Sequence, residues 1–146
     1  MDFGLSQGVR NFISRIKSLR SVEIAFETNL HEERFNIDIE VVLYRVVCEL
    51  INNSLKHSGC SAIEVELLQN GKSLILKYKD NGCGFTLDSN TTTKGMGLSN
   101  ITSRINSLNG TISISSKTDE GMQAVVQVGT KIEALSAKQR RRWRKR

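Results

Sequence analysis

The chain has 146 residues, 38% of them hydrophobic and 25% charged, which suits one globular domain and excludes disorder throughout. No apolar run approaches the roughly 20 residues that span a bilayer, and Met1-Asp2-Phe3-Gly4-Leu5 lacks the basic start and apolar stretch of a secretory signal, so the domain is expected in the cytoplasm. The net charge of +6 sits at the end: without Lys138, Arg140, Arg141, Arg142, Arg144, Lys145 and Arg146, 14 basic residues face 15 acidic ones, which argues against a specific nucleic-acid face.

Leu5, Val9, Phe12, Ile13, Ile16 and Leu19 recur at helical steps and predict an amphipathic helix over residues 5–20. Val22, Ile24 and Phe26 then alternate with polar or small residues as a half-buried strand does. After the polar turn His31-Glu32-Glu33-Arg34, Asp38 is the expected cap of a long helix running to about His57, with acidic residues at the favourable end of its dipole. Ile63, Val65 and Leu67, then Leu74, Leu76 and Tyr78, predict two antiparallel strands joined at Asn70-Gly71. The segment from Asp80 to Gly97, with its glycines and Ser89-Asn90-Thr91-Thr92-Thr93, reads as a mobile loop. A further helix starts near Leu98, with Ile101, Ile105 and Leu108 on one face and Asn109-Gly110 as its stop. Residues 111–116 and 122–128 are two closing strands. This order predicts a two-layer α+β sandwich, a mixed sheet with helices on one face. Residues 131–146 read as a basic, disordered tail, and Cys48, Cys60 and Cys83 have the spacing of neither a disulfide framework nor a zinc site.

Three clusters carry chemistry. On the long helix Leu43, Val47, Leu50, Ile51 and Leu55 share one side, while Arg45, Glu49, Asn52, Asn53 and Lys56 share the other. Alone that polar arc is an ordinary solvated face, yet adjacent asparagines are poor helix formers that need a reason. Glu49 and Asn53 stand one turn apart, so an amide oxygen could meet a hard cation while a carboxylate polarises a nucleophile. The second cluster, Asp80-Asn81-Gly82-Cys83-Gly84-Phe85, follows a strand. Alone it is ordinary turn chemistry, but an Asp there can accept from an exocyclic amine while glycines let backbone approach a flat ring. The third, Lys94-Gly95-Met96-Gly97-Leu98, opens a helix whose free N–H groups and dipole suit phosphate, with Lys94 as an added charge. It lacks the Walker A pattern.

The ordered set Glu49-x-x-x-Asn53-x-x-Lys56-His57, Asp80-x-Gly82-x-Gly84 and Gly95-x-Gly97-Leu98 resembles the N, G1 and G2 boxes of the GHKL ATPases, which include gyrase, the Hsp-type chaperones, MutL and sensor histidine kinases. Residues 41–128 are most similar to the ATP-binding catalytic domain of histidine kinases of the NarL-partnered subfamily, as in Gly97-Leu98-Ser99-Asn100-Ile101-x-x-Arg104-Ile105. The resemblance implies a Bergerat-type fold. It implies that Asn53 coordinates Mg²⁺ bridging the phosphates of ATP, that Glu49 assists phosphoryl transfer, and that Lys56 and His57 lie near the phosphates. Asp80 would bind the adenine amine, Gly82 and Gly84 would line the base pocket, and Gly95, Gly97 and Leu98 would shape a lid, with Lys94 as an added charge toward the phosphates. Two departures stand out. Gly121 is followed by Met122 where the family commonly has a Thr that helps bind adenine, and neither His31 nor His57 lies on a dimerisation helix. The resemblance therefore implies residues 1–20 as a helix following a missing dimerisation domain, 21–130 as the catalytic domain and 131–146 as the tail. It implies a monomeric fragment of a homodimeric parent, a phosphoacceptor His on that other domain and a response regulator as the next acceptor. Anchoring of the parent in the inner membrane stays open. Two other readings remain: a GHKL serine kinase of the anti-sigma type, and a non-catalytic nucleotide-binding module.

Overall fold

Leu5, Val9 and Ile13 fall four residues apart and are all buried, and this stripe seats helix α1 (Leu5–Leu19) on the rest of the domain. The computed structural model describes residues 4–84 and 98–130. Chain order continues with β1 (Glu23–Thr28), α2 (Ile37–Asn53), a wide π-helical turn (Ser54–Ser58), β2 (Ala62–Asn70), β3 (Ser73–Asp80), α3 (Leu98–Asn106), β4 (Thr111–Lys117) and β5 (Gly121–Gly129). Among the described residues no helix is long and apolar enough to cross a membrane.

The five strands form one sheet in the order β1-β2-β3-β5-β4. β1 and β2 run parallel, with α2 as their crossover, and the other pairs are antiparallel, so the sheet is mixed as expected. Two-residue alternation sends Leu74, Leu76 and Tyr78 of β3, and Ala124, Val126 and Val128 of β5, to the helical side, where all are buried. Glu64, Lys77, Lys79 and Gln123 go to the open face. The helices meet that apolar side with Leu43, Val47, Leu50 and Ile51 from α2 and Ile101 and Ile105 from α3. Each such side chain contributes on the order of 1.5–3 kcal/mol of burial, so the site rests on a rigid floor.

Two local expectations are corrected. Asn36, not Asp38, caps α2: its Oδ1 accepts from the Asp38 N–H at 2.9 Å, because an Asx side chain bonds the amide two residues on, which places Asp38 already inside the helix. The β2–β3 hairpin turns on Gly71-Lys72, one residue later than expected, since Asn70 still pairs with Ser73 and Gly71 takes φ 61°. The stop of α3 is as expected: Asn109 is left-handed at φ 56° and the Gly110 N–H bonds Ile105 O at 3.0 Å.

Glu40, in the first turn of α2, is fully buried and receives a fork from Arg34: Nε to Oε2 and Nη2 to Oε1, both 3.0 Å, with the Phe35 N–H adding 3.3 Å. Burial pushes this carboxyl up, but the Arg34 and Phe35 hydrogen bonds and the Arg34 charge outweigh it and hold it below the ordinary carboxylate value.

Candidate functional site: a cavity over the end of the sheet

The same parity that buries Leu76 and Tyr78 points Asp80, the last residue of β3, to the helical side, where it is 3% exposed. It lies beyond the apolar core, in register with Met122 on β5 and Ile63 on β2. Above it α2 ends in the π turn, which spreads the backbone and closes at Gly59 in the left-handed region. Between them is an open cavity of about 310 Å³. Asn53, Ser54, His57 and Ser58 line it from the helix, Asp80 and Met122 from the sheet, and Gly84 and Leu98 from the flanking chain.

Asp80 is held by donors on two sides. Its Oδ1 accepts from the Gly82 N–H at 2.9 Å and its Oδ2 from Ser54 Oγ at 2.6 Å, and Ser54 in turn shares a short hydrogen bond with the Tyr78 hydroxyl. Tyr78 OH also reaches Leu50 O at 3.1 Å. Burial pushes the Tyr78 phenol well above its ordinary value; the Ser54 hydrogen bond opposes this and the Asp80 charge adds to it.

The loop after β3 is fixed at both sides. Cys83 N–H bonds Ser58 O at 2.8 Å, Asn81 Oδ1 accepts from Ser61 N and Ala62 N at 3.0 Å each, and the Asp119 N–H donates to Cys83 O. Gly82 and Gly84 have distinct reasons to be glycine. A Cβ at Gly82 would collide with Ser58, whereas Gly84 takes φ 66° and a Cβ there would strike the Lys117 carbonyl. Both glycines therefore bring backbone closer than a side chain allows.

Of the residues singled out in the sequence, the fold brings Asn53, His57, Asp80, Gly84 and Leu98 to one cavity, with Gly82 bound to Asp80. Lys56 is exposed on the same π turn. Glu49 lies one turn before Asn53 and is turned toward α3, where its Oε1 accepts from Arg104 Nε at 3.3 Å and forms an ion pair with Nη2 at 3.2 Å. Its Oε2 is buried with no hydrogen-bond partner among the described residues. Lys94, Gly95 and Gly97, and the loop expected to carry them, lie outside the described residues. Sequence reasoning missed Ser54, Ser58 and Tyr78 as site residues. Ser54 stands next to Asn53 and Tyr78 shares the parity of Asp80, which were the available signals.

No group of three His, Cys, Asp or Glu side chains that could hold a metal occurs among the described residues. The fit for magnesium is of another kind: Asn53 puts one amide at the cavity, and Mg²⁺ commonly takes one or two protein ligands and fills its shell with phosphate oxygens and water. For a purine the fit is a buried carboxylate acceptor beside the apolar Met122 and Leu98.

Residues 38–133 match the family described as histidine kinase-, DNA gyrase B- and HSP90-like ATPases. The oxygen sensor histidine kinase NreB of Staphylococcus carnosus (strain TM300) is 31% identical over 127 residues, which is 87% of this chain and 37% of the length of that relative. Among solved structures, the histidine kinase domain of the blue-light activated histidine kinase of Erythrobacter litoralis EL346 superposes with a TM-score of 0.70 at 15% identity, over 87% of this chain and 61% of that one. The catalytic domain of the histidine kinase ThkA gives 0.69 at 18% identity, over 88% and 93%. The chain thus spans little more than a third of its curated relative and has the fold of histidine kinase catalytic domains. It belongs to the family of histidine kinase-, DNA gyrase B- and HSP90-like ATPases.

Proposed function

We propose that this chain is the catalytic domain of a two-component sensor histidine kinase, which binds Mg·ATP in the cavity over β3 and transfers its γ-phosphoryl group to a histidine. The observation that carries this reading is Asp80: a buried carboxylate with two donors in place and acceptor sites left over, facing a cavity that Asn53 borders from above. Asp80 would accept the exocyclic amine of adenine, with Gly82 and Gly84 leaving room for the ring. Asn53 would hold the magnesium, and Lys56, His57 and Lys94 would sit near the phosphates, with Gly95, Gly97 and Leu98 forming the lid. Magnesium, when bound, neutralises charge on the phosphates.

Phosphoryl transfer asks mainly for positioning and charge stabilisation. In this reading the incoming imidazole nitrogen forms a bond to the γ-phosphorus, the bond to the β-γ bridging oxygen breaks, ADP leaves, and the imidazole proton passes to Glu49. The acceptor histidine is placed on a dimerisation domain outside this chain, with α1 as the link to it, residues 21–130 as the catalytic domain, and a homodimeric parent that passes phosphate to a response regulator.

The test is titration of the purified chain with ATP, with and without Mg²⁺, beside Asn53→Ala and a chain ending at Lys131. Expected is saturable, Mg²⁺-dependent binding that Asn53→Ala loses and the shortened chain keeps. Failure of the intact chain to bind would overturn the kinase reading and favour an interaction module.

A further inference from the structure

The hydrogen bonds around Asp80 can be assigned by counting protons. Ser54 Oγ touches two oxygens, Asp80 Oδ2 at 2.6 Å and the Tyr78 hydroxyl, and has one hydrogen to give. Were that hydrogen aimed at Tyr78, two oxygens without a proton between them would face each other at the carboxylate, in a site where Ser54 is 2% exposed and no solvent relieves the repulsion. The Tyr78 hydrogen likewise has two possible acceptors. Leu50 O already accepts the Ser54 backbone N–H at the helix end, so it does not depend on Tyr78. The assignment that follows runs one way: the Tyr78 O–H is shared between Leu50 O and Ser54 Oγ, and the Ser54 O–H goes to Asp80 Oδ2. It ends on the carboxylate, where a hydrogen bond is worth most.

From this geometry we propose that Ser54 and Tyr78 are positioning residues that set the purine selectivity of the site, by orienting Asp80 as an acceptor for an amino-substituted ring. The inference rests on the reading of Asp80 as the base-recognition residue and deepens it. A carboxylate has about four acceptor sites, of which Gly82 and Ser54 occupy one on each oxygen. Those two donors lie on different sides, one from the loop and one from the end of α2, so they fix both the position and the rotation of the carboxylate plane. The remaining acceptor sites call for a donor from the ligand, which an exocyclic amine supplies and a ring without an N–H does not. Met122, opposite Asp80 in the sheet, has no hydroxyl to offer, and Ser54 is the side-chain donor that Asp80 has among the described residues. Tyr78 acts through Ser54, since it is bonded to the serine rather than to Asp80.

The probes are ATP and purine riboside triphosphate, which differ by the exocyclic amine, titrated calorimetrically into the 146-residue chain. Ser54→Ala is expected to weaken ATP about tenfold while changing purine riboside triphosphate less than about twofold. Tyr78→Phe is expected to weaken ATP about threefold with the same preference, and the double variant to match Ser54→Ala alone, because the tyrosine has no route to the base once the serine is gone. Equal losses on both nucleotides, or additive losses in the double variant, overturn the relay. If Ser54→Ala does not fold by circular dichroism, the Tyr78→Phe ratio decides by itself. Asp80→Asn separates the two layers of the inference. Loss of the ATP preference in Asp80→Asn, with the preference intact in Ser54→Ala and Tyr78→Phe, overturns only the relay. An unchanged preference in Asp80→Asn overturns the adenine assignment as well.

Discussion

Glu49 and Arg104, 55 positions apart, join α2 to α3 through a hydrogen bond and an ion-pair contact on a single carboxylate oxygen, and the other oxygen of Glu49 is buried without a hydrogen-bond partner among the described residues. Both side chains are about one-third exposed, so the pair adds little to stability; its effect is to fix where the carboxylate points. The helix that follows the glycine-rich segment is thereby tied to the residue proposed to take the proton.

Arg104→Ala is expected to slow phosphoryl transfer about tenfold while leaving ATP affinity within about twofold, and Glu49→Gln to slow it on the order of a hundredfold. Arg104→Lys should fall between, since an ammonium supplies charge without the fork. The assay is label transfer from ATP to a histidine-bearing dimerisation domain supplied in trans. A faster rate in Arg104→Ala would make the pair a brake and not a brace.

Glu40 gives a pH dependence whose sign follows from its lowered carboxyl value. The folded state holds the ionised form more tightly than the unfolded chain does, so this contribution is present above the unfolded value of 4.5 and lost as pH falls through the folded value. At neutral pH Glu40→Gln is expected to cost about 2 kcal/mol, the burial of the carboxylate being offset by the half-exposed state of Arg34. Thermal melts of the two chains should therefore differ near pH 7 and converge toward pH 3.

At high pH the informative group is Tyr78. Its phenol is raised by burial and by the Asp80 charge, so its neutral form is favoured by folding and its contribution falls only above the ordinary tyrosine value near 10. With Tyr44→Phe, Tyr78 is the one tyrosine left in the chain. Its ultraviolet ionisation signal is expected to appear together with the loss of circular dichroism and not before it. Ionisation within the folded state would show that the phenol reaches solvent.

Two left-handed glycines supply a matched pair. Gly59 has φ 62° and open space where a Cβ would stand, whereas Gly84 has φ 66° and faces the Lys117 and Gly121 carbonyls. Gly59→Ala should cost about 1 kcal/mol, the intrinsic penalty of the left-handed region. Gly84→Ala should cost about 3 kcal/mol or more, because the 83–84 backbone must also move off the β4–β5 turn. Melting temperatures of both variants, with ATP affinity for the second, check the difference.

Much of the fold was legible in the sequence. Periodicity located each helix and strand because burial follows one-dimensional spacing: Leu74, Leu76 and Tyr78 needed only alternation, and Asn109-Gly110 only the left-handed preference of those residues. Asn53 and Asp80, which the fold brings to one cavity, were singled out by their motifs. What escaped depended on contacts between distant segments. Nothing local marks Ser54 as a donor to Asp80, 26 positions away, or Arg104 as the partner of Glu49, since those meetings are set by the packing of α2 over β3 and α3. Asn36 and Asp38 are both competent caps, and the choice between them fell to the local path of the chain into α2.

The wide turn at Ser54–Ser58 makes the length of the chain, as well as its composition, a determinant of the site. Its bonds span one residue more than those of an α-turn, so removing one residue from it would restore an ordinary helix. That repair would rotate everything beyond the cut by about 100° and carry the Ser58 carbonyl away from the Cys83 N–H. Ser58 Oγ, which now accepts from Cys60 N at 3.2 Å, would move with it. Substitutions on this turn can be absorbed side chain by side chain, but a single-residue deletion or insertion between Asn53 and Gly59 would put helix and loop out of phase, so natural variation here should take the form of exchanges at constant length.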